Sequence, residues 1–264
     1  MSKITIPKLL EIKKANRKIT MLTCYDYSTA QVLDETEIDI ILVGDSLGMV
    51  ILGYENTLPV TMGEMIHHTK AVKRGVKRAF LIADLPFMSY QVGIKEAISN
   101  AGELIKVGAE AVKLEGGEEV ASTIEALVKA EISVMGHIGL TPQSIHKFGG
   151  YKVQGRDKRM EEKIRHDAKV LSQAGVFSIV LECIPFNLAK DITKELDIPT
   201  ISCGAGPYCD GQVLVINDLL GFYEKVPRFV RRYVDLRSVI LKAVDEYIKD
   251  VRECKFPSLD ESYK

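Results

Sequence analysis

The chain has 264 residues, longer than the usual domain mode but close to the size of one closed α/β barrel. A hydrophobic fraction of 46% and a charged fraction of 27% describe a chain able to bury a large core, which argues against disorder. The formal net charge of −1 provides no basic field to attract a phosphate backbone, which argues against nucleic acid as a partner.

The opening stretch MSKITIPKLLEIKKANRK is charged throughout and has neither the apolar core nor the small-residue cleavage site of a secretion signal. Within it Pro7–Lys14 has the spacing of a helix lying outside the repeating part of the fold. Beyond it, short apolar runs recur: ITMLTCYD, DIILVGDS, RAFLIADLP, AVKLEGG, SVMGHIGL, SIVLECI, PTISCGAG and VLVIND. They are nearly all apolar rather than alternating, as expected for parallel strands covered by helices. Between most of them lie segments of helical spacing, Met62–Val76, Gly93–Val107, Glu119–Ala130, Glu161–Ala174 and Asn187–Leu196. Eight such units predict an α/β fold, a (β/α)8 TIM barrel forming one catalytic domain over residues 1–264, with Leu236–Val251 as its last helix. A doubly wound open sheet is the competing fold, but TCYDYSTAQ carries no GxGxxG after the first strand. Gly75, Gly108 and Gly175 follow helical runs and are read as left-handed helix C-caps.

No window approaches a membrane span, and the expected compartment is cytoplasmic. The five cysteines are scattered without a CxxC pair, which suggests neither a disulfide framework nor a zinc cage. Cys183 and Cys203 lie in apolar runs and are read as small buried hydrophobes. The long insert TPQSIHKFGGYKVQGRDKRM after the fifth strand has no helical periodicity and is expected to be a lid or an oligomer contact.

The ionisable residues cluster where a barrel builds its active site, at the C-terminal ends of the strands. Asp45 and Asp84 end the second and third strands, Lys113 and Glu115 the fourth, His137 the fifth and Glu182 the sixth. Lys113 and Glu115 are two residues apart and therefore share a face. Each residue alone has a plainer reading. Asp45 or Asp84 would be a turn or cap residue, Lys113 and Glu115 a rim ion pair, and His137 a satisfied core histidine. Glu182 within an apolar strand is harder to dismiss, because a lone buried carboxylate is costly. Together they read as a site. Carboxylates converging without a cysteine or multi-histidine set suit a hard cation, Mg²⁺ first, with open positions for a chelating substrate. Lys113 would neutralise a substrate carboxylate.

The same strand-end segments carry a resemblance: LVGDSLG with Asp45 and Ser46, ADLPFMSY with Asp84, VKLEGG with Lys113 and Glu115, GHIGLTPQS with His137, GGYKVQGR, VLECIP with Glu182, and CDGQVLVINDLLG. By these motifs, which span nearly the whole chain, it resembles the ketopantoate hydroxymethyltransferase family. The resemblance implies a barrel of the phosphoenolpyruvate/pyruvate-binding type and transfer of a hydroxymethyl group from 5,10-methylenetetrahydrofolate to 3-methyl-2-oxobutanoate. The product would be 2-dehydropantoate, in the first committed step toward pantothenate and coenzyme A. It further implies Asp45 and Asp84 as ligands of one Mg²⁺ per subunit, with Glu115 at the ion directly or through water. Substrate would be held by Asp45, Ser46, Asp84, Lys113 and His137, with Glu182 as proton acceptor. The partners implied are a small 2-oxo acid, folate and copies of the chain itself in a decamer. Ile216-Asn217 departs from the family, where an aromatic-histidine pair is common.

Two other readings remain open at this level. A Mg²⁺-dependent carbon–carbon lyase of the isocitrate lyase and phosphoenolpyruvate mutase superfamily would share the barrel, the ion and a 2-oxo acid. Its KKCGH segment is replaced here by GHIGLTPQS. A non-catalytic barrel serving as a binding protein is the second. Phosphosugar chemistry is disfavoured, because the eighth strand is expected to end in Asn217-Asp218, a carboxylate where barrel phosphates commonly sit.

Overall fold

A computed structural model of the chain describes residues 2–264. Eight strands pair in sequence order, and the eighth closes on the first: β1 (Ile19–Thr23), β2 (Ile40–Val43), β3 (Phe80–Asp84), β4 (Ala111–Glu115), β5 (Val134–Gly139), β6 (Ser178–Glu182), β7 (Thr200–Cys203) and β8 (Gly211–Leu214). Every pairing is parallel. The helices are α1 (Ile6–Lys14), α2 (Tyr27–Asp34), α3 (Leu47–Val50), α4 (Met62–Gly75), α5 (Ile94–Lys106), α6 (Ala121–Lys129), α7 (Ile145–Phe148), α8 (Lys158–Gln173), α9 (Phe186–Glu195), α10 (Ile216–Leu219) and α11 (Leu236–Arg252). The chain divides into two compact units, 1–215 with the whole barrel and 216–264. In the second unit the helix expected at 236–251 forms as α11, and none of its residues is buried.

The barrel interior follows from the two-residue period of its strands. Ile19, Met21, Ile40, Leu42, Phe80, Ile82, Ala111, Met135, Val180, Ile201 and Val213 form one buried cluster, the side-chain layers that fill such a barrel. Ile4, Leu9 and Ile12 belong to the same cluster, so α1 and Ile4, two residues ahead of it, plug the N-terminal end of the barrel. Each fully buried Leu or Ile contributes roughly 1.5–3 kcal/mol, which favours a closed floor. The inward set becomes ionisable only toward the C-terminal end, as in Phe80-Ile82-Asp84, Ala111-Lys113-Glu115, Met135-His137 and Ser178-Val180-Glu182.

Local chemistry starts and stops the helices. α4 begins in a full capping box, with Thr61 accepting from the Glu64 amide and Glu64 accepting in return from the Thr61 amide at 2.7 Å. Asp26 and Asp157 cap α2 and α8 through their side chains. Gly75 is not the expected left-handed cap. It is the last residue of α4, and a Cβ there would stand 2.8 Å from Ala30 Cβ and 2.9 Å from Tyr27 O, so close approach to α2 is what requires glycine.

Two expectations shift. β8 begins earlier than the run VLVIND and ends at Leu214, because its register with β1 stops at Leu22↔Leu214. Asn217-Asp218 consequently lies in the helical turn α10 rather than at a strand end. The insert after β5 opens with a 3₁₀ turn, Pro142–Ser144, and a single helical turn, α7. Its first residues are buried, Thr141 at 7% exposure and Gln143 at 6%, so this part is a wall of the barrel mouth.

Candidate active site

Strand register brings the ionisable residues together. Asp84 of β3 lies opposite Lys113 of β4, Glu115 opposite His137 of β5, and Gly139 opposite Glu182 of β6. Asp45 follows β2 by two residues and Ser46 precedes α3. All seven residues therefore stand at the C-terminal rim, and Asp45, Asp84, Lys113, Glu115 and His137 are buried.

Their contacts form a connected series. The Asp45 amide donates to Asp84 Oδ2 at 3.0 Å. Lys113 Nζ lies 3.1 Å from Asp84 Oδ1 and 3.3 Å from His137 Nδ1. His137 Nδ1 is 3.5 Å from Glu115 Oε1, and its Nε2 is 3.2 Å from Glu182 Oε2. Glu182 is more open than the others, its side chain 15% exposed. Ser46 Oγ shares a 2.8 Å hydrogen bond with the buried Tyr25 hydroxyl.

The charges do not cancel. Four carboxylates, Asp45, Asp84, Glu115 and Glu182, face the Lys113 ammonium and the His137 imidazolium, an excess of two negative charges. Burial, then the charges of Asp84 and Glu115, push the Asp45 carboxyl well above the usual carboxylate range against the pull of Lys113 and Gln143. Burial likewise raises Asp84, although Lys113 and the Asp45 amide oppose it. For Lys113 burial works against the charge, but Asp84, Glu115 and Asp45 outweigh it and hold the ammonium above its ordinary value. At His137, burial and Lys113 disfavour protonation, and hydrogen bonds to Glu115 and Glu182 prevail, carrying it up to about 9. Such conflict among ionisable groups is a pattern found at functional sites.

An oxygen-only donor set with two unneutralised charges fits a hard divalent cation. The sole partner of Asp84 Oδ1 is the Lys113 ammonium, in ion-pair contact outside hydrogen-bond geometry, leaving acceptor capacity for an ion. Among the described residues no group of three or more His, Cys, Asp or Glu side chains is disposed to hold a metal by itself. Water and substrate would therefore complete the coordination, as is usual for Mg²⁺.

Close packing sets the position of Glu182. Gly139 has φ +95°, and a Cβ there would lie 2.3 Å from the Glu182 carbonyl oxygen and 2.8 Å from Ile184 Cγ2. Only glycine lets β5 approach β6 at this height. Burial, then the Glu182 charge, pushes the Cys183 thiol up to about 12, and the same causes raise Cys203 well above its ordinary value, which disfavours the reactive thiolate at both.

Three residues not expected from the sequence enter the site. Tyr25 contacts Ser46, while Tyr90 and Gln143 contact Glu115, and Gln143 also contacts Asp45. Gln143 lies within GHIGLTPQS, yet no periodicity singles it out.

Known proteins place this arrangement. The chain matches the family model described as ketopantoate hydroxymethyltransferase over residues 3–259. A 3-methyl-2-oxobutanoate hydroxymethyltransferase of Thermoanaerobacter sp. strain X514 is 56% identical over 263 residues, covering 99% of this chain and 96% of the relative. One from Caldicellulosiruptor bescii is 52% identical with both chains fully covered. Among solved structures, phosphonopyruvate hydrolase in complex with oxalate and Mg²⁺ superposes with a TM-score of 0.63 at 13% identity, covering 99% of this chain and 93% of that one. For 2,3-dimethylmalate lyase, of the PEP mutase/isocitrate lyase superfamily, the TM-score is 0.63 at 14% identity, with coverage of 100% and 90%. At those identities the superpositions speak for the barrel alone. The end-to-end sequence matches carry more, and by them the chain belongs to the ketopantoate hydroxymethyltransferase family.

Proposed function

We propose that the chain is a 3-methyl-2-oxobutanoate hydroxymethyltransferase that adds a one-carbon unit from 5,10-methylenetetrahydrofolate to 3-methyl-2-oxobutanoate and yields 2-dehydropantoate. The observation that carries this reading is the excess of buried carboxylate around a single lysine at the rim of a barrel closed at its other end. Full-length relatives of that name support it.

Asp45 and Asp84 would hold Mg²⁺, with Glu115 beside it. When bound, the ion supplies Lewis acidity toward the 2-oxo group and so acidifies the neighbouring C–H, whose own acidity lies far beyond a carboxylate's reach. Lys113, already in place as an ammonium, binds the substrate carboxylate as a point charge. Ser46, oriented by Tyr25, adds a hydrogen-bond donor. Glu182 takes the proton from C3. His137, 3.2 Å away, orients the Glu182 carboxylate, and the carbanion at C3 forms the new carbon–carbon bond to the one-carbon unit, while one water supplies the hydroxyl oxygen and the carbon–nitrogen bonds to the folate break, releasing tetrahydrofolate with its amine protonated. Burial of Asp45, Asp84, Lys113 and Glu115 keeps bulk water from competing for these charges.

We extend the reading to a cytoplasmic homo-oligomer, a decamer as in the resembling family, which sedimentation measures. The activity is tested by incubating the protein with 3-methyl-2-oxobutanoate, 5,10-methylenetetrahydrofolate and Mg²⁺. Formation of 2-dehydropantoate, abolished by a chelator and regained with added Mg²⁺, is the expected result, and no product under these conditions would reject the reading.

A further inference from the structure

The proposed chemistry assigns nothing to Gln143, yet this side chain is 6% exposed and uses both ends of its amide inside the site. Its Nε2 donates to Asp45 Oδ2 at 2.8 Å and to the Leu85 carbonyl at 3.0 Å. Its Oε1 accepts from the Tyr90 hydroxyl at 2.8 Å. Its backbone amide donates to Glu115 Oε2 at 2.9 Å, and the Tyr90 hydroxyl in turn accepts from the Glu115 amide at 3.2 Å. One residue of the loop after β5 thereby ties together the ends of β2, β3 and β4.

The amide has one allowed orientation. Reversal would set its carbonyl against the Asp45 carboxylate and leave the amino group facing the Tyr90 oxygen. Neutrality also matters. A lysine or arginine here would neutralise Asp45 and compete with a cation, while a carboxylate would add to the repulsion among Asp45, Asp84 and Glu115. A neutral donor can hold one oxygen of Asp45 and, through its backbone, one oxygen of Glu115, without altering the charge that attracts an ion.

We propose that Gln143 is a positioning residue for the divalent cation: it fixes Asp45 and Glu115 each through one carboxylate oxygen, and Tyr90 locks its amide. This rests on the reading of Asp45, Asp84 and Glu115 as the residues around the ion. Groups that hold metal-binding carboxylates by hydrogen bonds are worth about 10–100-fold in metal affinity or activity.

Binding of Mn²⁺ without substrates, read from the free-ion electron paramagnetic resonance signal, tests it on the wild type, Gln143→Met, Tyr90→Phe and Asp84→Asn. Methionine keeps the length and volume of glutamine without its amide. The wild type should take up one ion per chain and Asp84→Asn should lose it. Gln143→Met should bind the same number with an affinity lowered by about 10–100-fold, and Tyr90→Phe should weaken binding in the same direction by less. Saturating Mn²⁺ should restore most of the turnover of Gln143→Met, which a purely structural role would not allow. Wild-type affinity in Gln143→Met alongside loss in Asp84→Asn, or weak turnover that no Mn²⁺ concentration restores, overturns the role of Gln143 and spares the ligand reading. Wild-type affinity in Asp84→Asn overturns both. Unfolding of the ion-free variants shows whether each is folded, and if Gln143→Met is not, the Tyr90→Phe affinity decides.

Discussion

The two ends of the barrel treat charge in opposite ways. At the N-terminal end three carboxylates have their own donors: Glu110 pairs with Lys3 at 2.5 Å, Asp210 with Lys13 at 2.8 Å, and Asp34 accepts the backbone amides of Lys77, Arg78 and Ala79 at 2.8–2.9 Å. At the C-terminal rim three buried carboxylates share one lysine, and burial raises Asp84 and pushes Asp45 well above its ordinary value. The first arrangement is satisfied as it stands and serves stability. The second costs stability until a ligand of opposite charge arrives, a trade common at functional sites.

The largest expected effect tests that division directly. Asp84→Asn should lower Mg²⁺-dependent turnover on the order of 10³-fold, the several kcal/mol that a Lewis-acidic ion contributes. The ion-free variant should melt no lower than the wild type, because one of three mutually repelling charges is gone. A fall of many degrees by calorimetry would mean that the rim is structural and would erase the contrast between the ends.

Glu182→Gln separates proton transfer from the rest of the rim. In D₂O with Mg²⁺ and no folate, the wild type should exchange the C3 hydrogen of 3-methyl-2-oxobutanoate, followed by proton NMR. The variant should exchange about 10²–10⁴-fold more slowly, the worth of a positioned base. Exchange at the wild-type rate would move that role elsewhere.

Lys113→Ala sharpens the comparison because this lysine alone should matter to both stability and catalysis. Removing the only ammonium among the three carboxylates should destabilise the ion-free protein by about 3–5 kcal/mol, the cost of breaking a buried pair. It should also raise KM for the oxo acid far more than KM for the folate. Equal effects on the two substrates would dissociate Lys113 from the substrate carboxylate.

The smallest effect belongs to the N-terminal end. Asp34 sits below its ordinary pKa: burial opposes its charge, but the amides of Ala79, Arg78 and Lys77 outweigh it. Its contribution is therefore fully present above the unfolded carboxylate value, about 3.9, and is lost as pH falls through the lower folded value. Asp34→Asn should melt a few degrees lower at neutral pH, with about 2–4 °C per kcal/mol for a chain of this size. Its gap to the wild type should close below about pH 4, and turnover should be unchanged. A gap that persists at low pH would assign the effect to packing.

Much of this molecule is legible before folding because a parallel barrel strand is buried on both faces and reads as an apolar run. Seven runs lie on the observed strands, while β8 begins ahead of its apolar run, since GQVL buries only Gly211 and Val213. Asp84, Lys113, Glu115, His137 and Glu182 are legible for the converse reason: they interrupt an inward-facing apolar set near the end of a strand, where no plain packing role explains a charge. The sequence by itself determined the alternation of elements, the end of the barrel at which ionisable residues gather and the types of residue found there. Only the tertiary structure decided which charge meets which. Strand register set Asp84 beside Lys113 and Glu115 beside His137. Contact between β5 and β6 made Gly139 obligatory at Glu182. Closure of the barrel brought Gln143 to Asp45, a residue 98 positions away in the chain. Such contacts leave no local periodicity, because a polar loop residue is placed by the elements on either side of it and its partner by a different pair.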